Sequence, residues 1–111
     1  MNKVCLSGRL IKDPIFQPLK NNNSLCVIFI ANNEYYGENA RVGFYKVKVW
    51  GKLAEVVKNH CRTGVEIFLS GRLEQWRYED ENGKTVYDNS IVMEQFNFGN
   101  NRKSESEAAA G

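Results

Sequence analysis

Phe44-Tyr45-Lys46-Val47-Lys48-Val49-Trp50 (FYKVKVW), followed by Gly51 and then Lys52 to Cys61 (KLAEVVKNHC), is the stretch from which the fold can be read. The first seven residues alternate strictly. Successive side chains of a strand point to opposite faces, so Tyr45, Val47 and Val49 share one face and Phe44, Lys46, Lys48 and Trp50 the other. The next ten change period: Leu53, Val56, Val57 and His60 fall at i, i+3, i+4 and i+7, one apolar stripe along a helix. Arg62 and Gly64 mark its end. A strand that hands over directly to a helix forms the centre of the chain.

Working outward, Val65 to Arg77 reads as a long strand, Asn82-Gly83 as a hairpin signal, and Lys84 to Phe98 as the returning partner. Upstream, Lys3 to Leu10 (KVCLSGRL) is a short strand, broken at Asp13-Pro14. Asn21 to Ser24 is a cluster of turn formers. Leu25 to Ala31 (LCVIFIA), rich in β-branched and aromatic residues, reads as a strand covered on both faces. Asn32 to Arg41 reads as a mobile hairpin loop carrying Tyr35 and Tyr36, with Tyr36 the better candidate for exposure. The order strand, strand, strand, helix, strand, strand defines an all-β chain with one short helix. It is the order of a five-stranded Greek-key OB-fold barrel with extended β-hairpins, a fold that binds oligonucleotides. An SH3-like barrel or a ubiquitin-like sheet can be drawn from a similar string. The domain is expected over 1–98, with 99–111 (GNNRKSESEAAAG), which lacks aromatic and β-branched residues, as a disordered tail.

One domain is the natural content of 111 residues, and an apolar share of 42% allows one real core. No apolar run approaches the roughly 18–20 residues of a membrane span, and Met1 to Val4 lacks the opening of a signal peptide, so an intracellular protein is expected. Cys5, Cys26 and Cys61 show no CxxC spacing, and His60 is the single histidine. Neither a metal nor a cofactor is expected, and the cysteines read as small buried hydrophobes. A net charge of +2, from 15 basic and 13 acidic residues, does not by itself point to nucleic acid. Local placement of charge decides electrostatic binding.

That placement is informative on the Phe44–Trp50 strand. Outward lysines are a common way to blunt a sheet edge, but this does not account for a phenylalanine and a tryptophan flanking them. Each would leave much of its roughly 150–250 Å² of stacking surface in water. Single-strand binders need flat π surfaces for bases interleaved with cations for phosphates, and each stacked base contributes roughly 1–3 kcal/mol regardless of its identity. Trp76 and Tyr78, with Arg72 and Arg77 nearby, form a second cluster towards Asn82-Gly83. It reads either as further stacking surface or as an aromatic pair that only stabilises the hairpin. There is no GxSxG, no phosphate-cradling glycine loop and no titratable cluster, so an enzyme is not expected.

The motifs are familiar as a set. Asn2-Lys3-Val4 with Leu6, Gly8, Leu10 and Asp13-Pro14, then Trp50 to Val56 (WGKLAEV), then Gly71-Arg72-Leu73 and Asn82-Gly83-Lys84, resemble bacterial-type single-stranded DNA-binding proteins over roughly residues 2 to 98. The resemblance implies an OB domain assembled as a homotetramer, and it places base-stacking aromatics at Tyr36, Phe44, Trp50 and Tyr78, to which Trp76 is an addition. Phosphates are expected to follow Lys46, Lys48, Lys52, Arg72 and Arg77, with Lys3 and Arg9 as outer contacts. Tyr45 falls where the family often has a histidine at the subunit contact. Gln17 and Thr63 stand where many members are basic. The family's acidic tip with a terminal Pro-Phe has no counterpart in Ala108-Ala109-Ala110-Gly111, so the sequence reads either as a truncated chain or as a short relative that lacks recruitment of other replication and repair proteins. The implied role is coating exposed single strands in replication, recombination and repair, in the bacterial cytoplasm or in an organelle or phage system. A dimeric primosomal-type interaction module and a single-stranded RNA binder are the alternatives.

Overall fold

The computed structural model describes residues 1–99 and 101, with the side chain of Tyr36 outside that description. Six strands and one helix lie among the described residues: β1 (Val4–Leu10), β2 (Ile15–Pro18), β3 (Ser24–Tyr36), β4 (Asn39–Trp50), α1 (Lys52–His60), β5 (Glu66–Glu79) and β6 (Thr85–Phe98). They hydrogen-bond in the order β1-β5-β6-β4-β3-β2, and β1 also pairs with β3, closing the barrel. The short β2 is an edge addition, paired with the start of β3 from Ile15↔Val27 to Pro18↔Ser24. Nothing in Ile15–Pro18 alternates clearly enough to announce a strand.

The core strands bury one parity, except that β6 buries Ser90 and Val92 as well as Ile91 and Met93. Cys26, Ile28 and Ile30 of β3, Val47 and Val49 of β4, Ile67 and Leu69 of β5, and Ile91 and Met93 of β6 meet in a single cluster. Full burial of each aliphatic side chain contributes roughly 1.5–3 kcal/mol. Ala54 and Val57 of α1, with Cys61 just beyond it, join the same cluster. Val56, expected in the helix stripe, is exposed, and Leu53 and His60 are only half-buried. The helix is short enough that a narrower face, centred on Ala54 and Val57, meets the barrel.

Three further expectations are corrected. Leu25 to Ala31 is covered on one face only, since Leu25, Val27, Phe29 and Ala31 are half-buried while Cys26, Ile28 and Ile30 are buried. Asn32 to Arg41 is a ribbon, with β3 and β4 paired from Leu25↔Trp50 out to Tyr36↔Asn39 around a two-residue Gly37-Glu38 turn. Gly37 takes the positive φ, 61°, that such a turn requires. Cys5 is exposed, whereas Cys26 and Cys61 are buried as expected.

The second hairpin is tied at its tip by Asp80, whose carboxylate accepts the backbone N–H groups of Asn82 and Lys84, both at 2.9 Å. Near the bottom of the barrel, Asp13 accepts the backbone N–H (2.9 Å) and hydroxyl (2.8 Å) of Thr63. Those bonds hold the Asp13 carboxyl below the usual carboxylate range. Thr63 thus has a local structural partner in Asp13. Gly99 donates to the Glu66 carbonyl, and Asn101 brackets the Glu66 backbone from both sides. Asn100 and 102–111, most of the expected tail, lie outside the described residues.

Gly8 sits where β1 crosses onto β3: a Cβ there would collide with the Ala31 carbonyl oxygen and with Ile30 Cγ2. Gly8→Ala is expected to lower stability by about 1–3 kcal/mol through overpacking, read as a drop in the thermal midpoint. Burial pushes the Cys26 thiol up to about 11 and the Cys61 thiol up to about 12. Alkylation of the native protein at neutral pH should therefore label one cysteine, Cys5, and unfolding should release the other two. Rapid labelling of Cys26 or Cys61 in the native state would contradict this packing.

Candidate nucleic-acid interface

The side chains between the buried valines of β4 have no choice but to face outward. Phe44 is 68% exposed and Trp50 43% exposed, and Lys46 and Lys48 stand between them, half-buried. The pairing register carries this face onto both neighbours. On β3, Leu25, Val27, Phe29 and Ala31 lie directly opposite Trp50, Lys48, Lys46 and Phe44. Across β6 the register runs from Lys48 to Val92 and on to Arg72 of β5, which sets Arg72, Glu74, Trp76 and Tyr78 on the same side. Trp76 and Tyr78 are 52% and 54% exposed. Ser90 and Val92 of β6 share this side and are nevertheless buried, so the long side chains of β4 and β5 close over the middle strand.

Both lysines lean towards the β5–β6 hairpin. Lys48 Nζ lies 5.3 Å from the centre of the Trp76 ring, in cation–π range. Lys46 Nζ lies 3.5 Å from Asp88 Oδ2, where Asp88 is the cross-strand neighbour of Trp76. Arg72 makes a 3.4 Å ion pair with Glu74. The resulting surface is a continuous band: Phe44, Lys46, Lys48 and Trp50 along one edge, Arg72, Trp76 and Tyr78 along the other. Chemically it offers flat rings and positive charge side by side, with no nucleophile–base pair among the described residues.

The structure gathers the expected residues unevenly. Phe44, Trp50, Trp76, Tyr78, Lys46, Lys48 and Arg72 share the band. Arg77 lies on the reverse of the β5–β6 hairpin, opposite Tyr87, because its parity is odd where that of Trp76 and Tyr78 is even. Lys52 opens α1 just after Trp50 and is exposed. Arg9 lies in one row with Ala31 and Phe44, and donates at 2.7 Å to the Gly64 carbonyl. Lys3 pairs with Glu94 at 3.1 Å, between Val4, which pairs with Gly71, and Asn2, which bonds to Leu73. Tyr36 closes the ribbon opposite Asn39, and its side chain is outside the described residues. Its neighbour Tyr35 is 75% exposed. Phe29 was not anticipated: it lies opposite Lys46, with Lys12 Nζ 4.4 Å from its ring centre. The period-two burial of Cys26, Ile28 and Ile30 is the signal that would have turned Phe29 outward.

Tyr45, on the inward parity, lies over Gly43, where an added Cβ would strike the ring. With Val4, Leu73, Gln75, Asn89 and Ile91 it lines an open cleft of about 500 Å³ between the roots of the two hairpins. Gln75 donates to Asn89 at 2.9 Å on its wall, and Leu73 is half exposed there.

A small closed barrel with long hairpins and a mixed aromatic and basic band along three adjacent strands belongs to the OB-fold class of oligonucleotide-binding domains. Residues 1–99 match the model of the single-strand binding protein family, and the chain is a member of that family. It is 36% identical over 103 residues to single-stranded DNA-binding protein 1 of Clostridium acetobutylicum, a match covering 88% of this chain and 93% of that protein. It is 28% identical over 114 residues to the single-stranded DNA-binding protein of Enterococcus faecalis, covering the whole of this chain and 61% of that one. Among solved structures, the Plasmodium falciparum SSB in complex with ssDNA superposes with a TM-score of 0.83 at 16% identity, over 90% of this chain and 96% of the other. That likeness establishes the barrel independently of sequence.

The Lys48–Trp76 contact has an optical consequence. In a Trp50→Phe background, where Trp76 is the single tryptophan, Lys48→Ala should uncover one ring face and raise the acrylamide quenching constant. Unchanged quenching would mean that Lys48 does not cover the ring.

Proposed function

We propose that this protein binds single-stranded DNA without regard to base sequence and coats strands exposed in replication, recombination and repair. The observation that carries the reading is the band itself: four exposed rings, Phe44, Trp50, Trp76 and Tyr78, interleaved with Lys46, Lys48 and Arg72 on one side of β4, β6 and β5. Bases stack on the rings, joined by Tyr36 at the end of the ribbon, and phosphates follow the cations. Lys52 and Arg9 extend the path at its margins, and Lys3 and Arg77 act as more distant positive charge. The action is binding, not catalysis. The bacterial relatives support a bacterial cytoplasmic setting.

The protein acts as a homo-oligomer in this reading, a tetramer in preference to a dimer. Support comes from the cleft beside Tyr45, where half-exposed Leu73 and part-buried Val4 leave apolar surface between the hairpin roots. A small barrel gains from covering such surface.

Titration with an oligo-dT of about 35–70 nucleotides, followed by tryptophan fluorescence at several salt concentrations, tests the function. Trp50 and Trp76 are the only tryptophans, and stacking should quench both. Binding should weaken with salt with a log–log slope near −0.7 per phosphate pair, and a duplex of equal length should not quench. Phe44→Ala with Trp50→Ala should cost roughly 1–3 kcal/mol per lost base stack and leave the oligomeric state unchanged in sedimentation velocity. Intact DNA affinity with an altered oligomeric state would instead mark the band as a protein interface. Equal or tighter binding of oligo-U would move the assignment to RNA.

A further inference from the structure

Every cation on the band already has a partner within the protein. Lys46 faces Asp88 at 3.5 Å, Arg72 faces Glu74 at 3.4 Å, and Lys48 rests on the Trp76 ring. Two of those partners are carboxylates, the same kind of oxygen anion that a phosphate would present. Asp88 is the more telling of the two, because Lys46 belongs to β4 and Asp88 to β6, and the pair spans the point where the two hairpins part. Beyond it the β4–β6 ladder holds only through Val47↔Ile91 and Lys48↔Val92.

Resting on the reading of the band as the DNA-binding face, we propose that Asp88 is a built-in competitor for phosphate on Lys46, one that tunes the site away from charge and towards base stacking. A backbone phosphate reaching Lys46 must displace Asp88. It therefore gains only the difference between two oxygen-anion contacts, and it leaves a carboxylate close to the bound strand. Partly exposed ion pairs of this kind are weak, about 0–1 kcal/mol, so Asp88 attenuates the contact without locking it. Lys46 in the empty site is also neutralised from within and has no counterion of its own to release. Among the described residues, the rings of Phe44, Trp50 and Tyr78 carry no such competitor. Glu74 acts on Arg72 in the same sense, with both members of that pair on β5.

The test measures oligo-dT affinity across a salt series for the unsubstituted protein, Asp88→Asn, Lys46→Met and the double variant. Asp88→Asn should bind tighter at low salt, by up to about five-fold, the factor that a pair of about 1 kcal/mol corresponds to. Its log–log salt slope should steepen by up to about 0.7 per subunit engaged. In the Lys46→Met background the same substitution should bring no gain. Equal or weaker binding by Asp88→Asn overturns the proposal. So does an equal gain with and without Lys46, which would reveal a general effect of removing one negative charge. Glu55→Gln on α1 controls for that general effect, and Glu74→Gln repeats the measurement on Arg72 should Asp88→Asn prove unstable in a thermal melt. Failure of the unsubstituted protein to bind oligo-dT would overturn the reading of the band itself, an outcome distinct from failure of the Asp88 variants.

Discussion

Closure of the barrel turns on a very small contact. β1 meets β3 only at Arg9↔Ala31 and Leu10↔Ile30, yet that contact makes the sheet continuous around its core and leaves the central strands without open edges. Leu10 is the knot. Its side chain is buried, its N–H donates to Val65, and its carbonyl accepts from Gly64, while the next residue, Ile11, donates to Phe29. Three segments distant in sequence are fastened at one residue. Closure also gives the outer surface its lateral rows, such as Arg9, Ala31 and Phe44, because register is transmitted from strand to strand.

Side chains finish what the ladders cannot. Asn32 donates to the Ser7 carbonyl at 2.7 Å, extending the brief β1–β3 contact by one more bond. Asn2 grips Leu73 from both sides, its amide donating to the carbonyl at 2.7 Å and its oxygen accepting the N–H at 2.8 Å, so that it prolongs β1 beside β5. Asn101 does the same for Glu66 at the other end of that strand. A side-chain amide presents one donor and one acceptor much as a peptide unit does. Here it stands in for pairing where a strand runs out.

This is also why some of the molecule was legible in the sequence and some was not. Phe44 to Trp50 was legible because alternation is a property of the strand alone: burying Val47 and Val49 forces Phe44, Lys46, Lys48 and Trp50 outward. The two long strands and the Asn82-Gly83 turn were legible for the same local reason. Asn32 to Arg41 was not, because its asparagines and glycine carry loop propensities that pairing with β4 overrides. Cys5 is exposed because β1 presents its odd residues to solvent, a fact that depends on β1 lying beside β5 and not on its own apolar run. Within the site, each aromatic cluster was visible from its own stretch of sequence, but only the family resemblance joined the two. In the fold their union depends on the parallel Lys48↔Val92 rung. Arg77 lies close in sequence to Trp76 and Tyr78 and on the opposite side in space, a distinction that only the parity of the hairpin decides.

The division of β4 between core and band makes that strand tolerant of one kind of change and intolerant of another. Any residue may be exchanged for another suited to its own side, since each side answers to a separate demand. Loss of a single residue between Phe44 and Trp50 is different in kind. It would reverse the register from that point on, driving lysine into the barrel and valine into solvent. The strand behaves as a reading frame, robust to spelling and fragile to deletion.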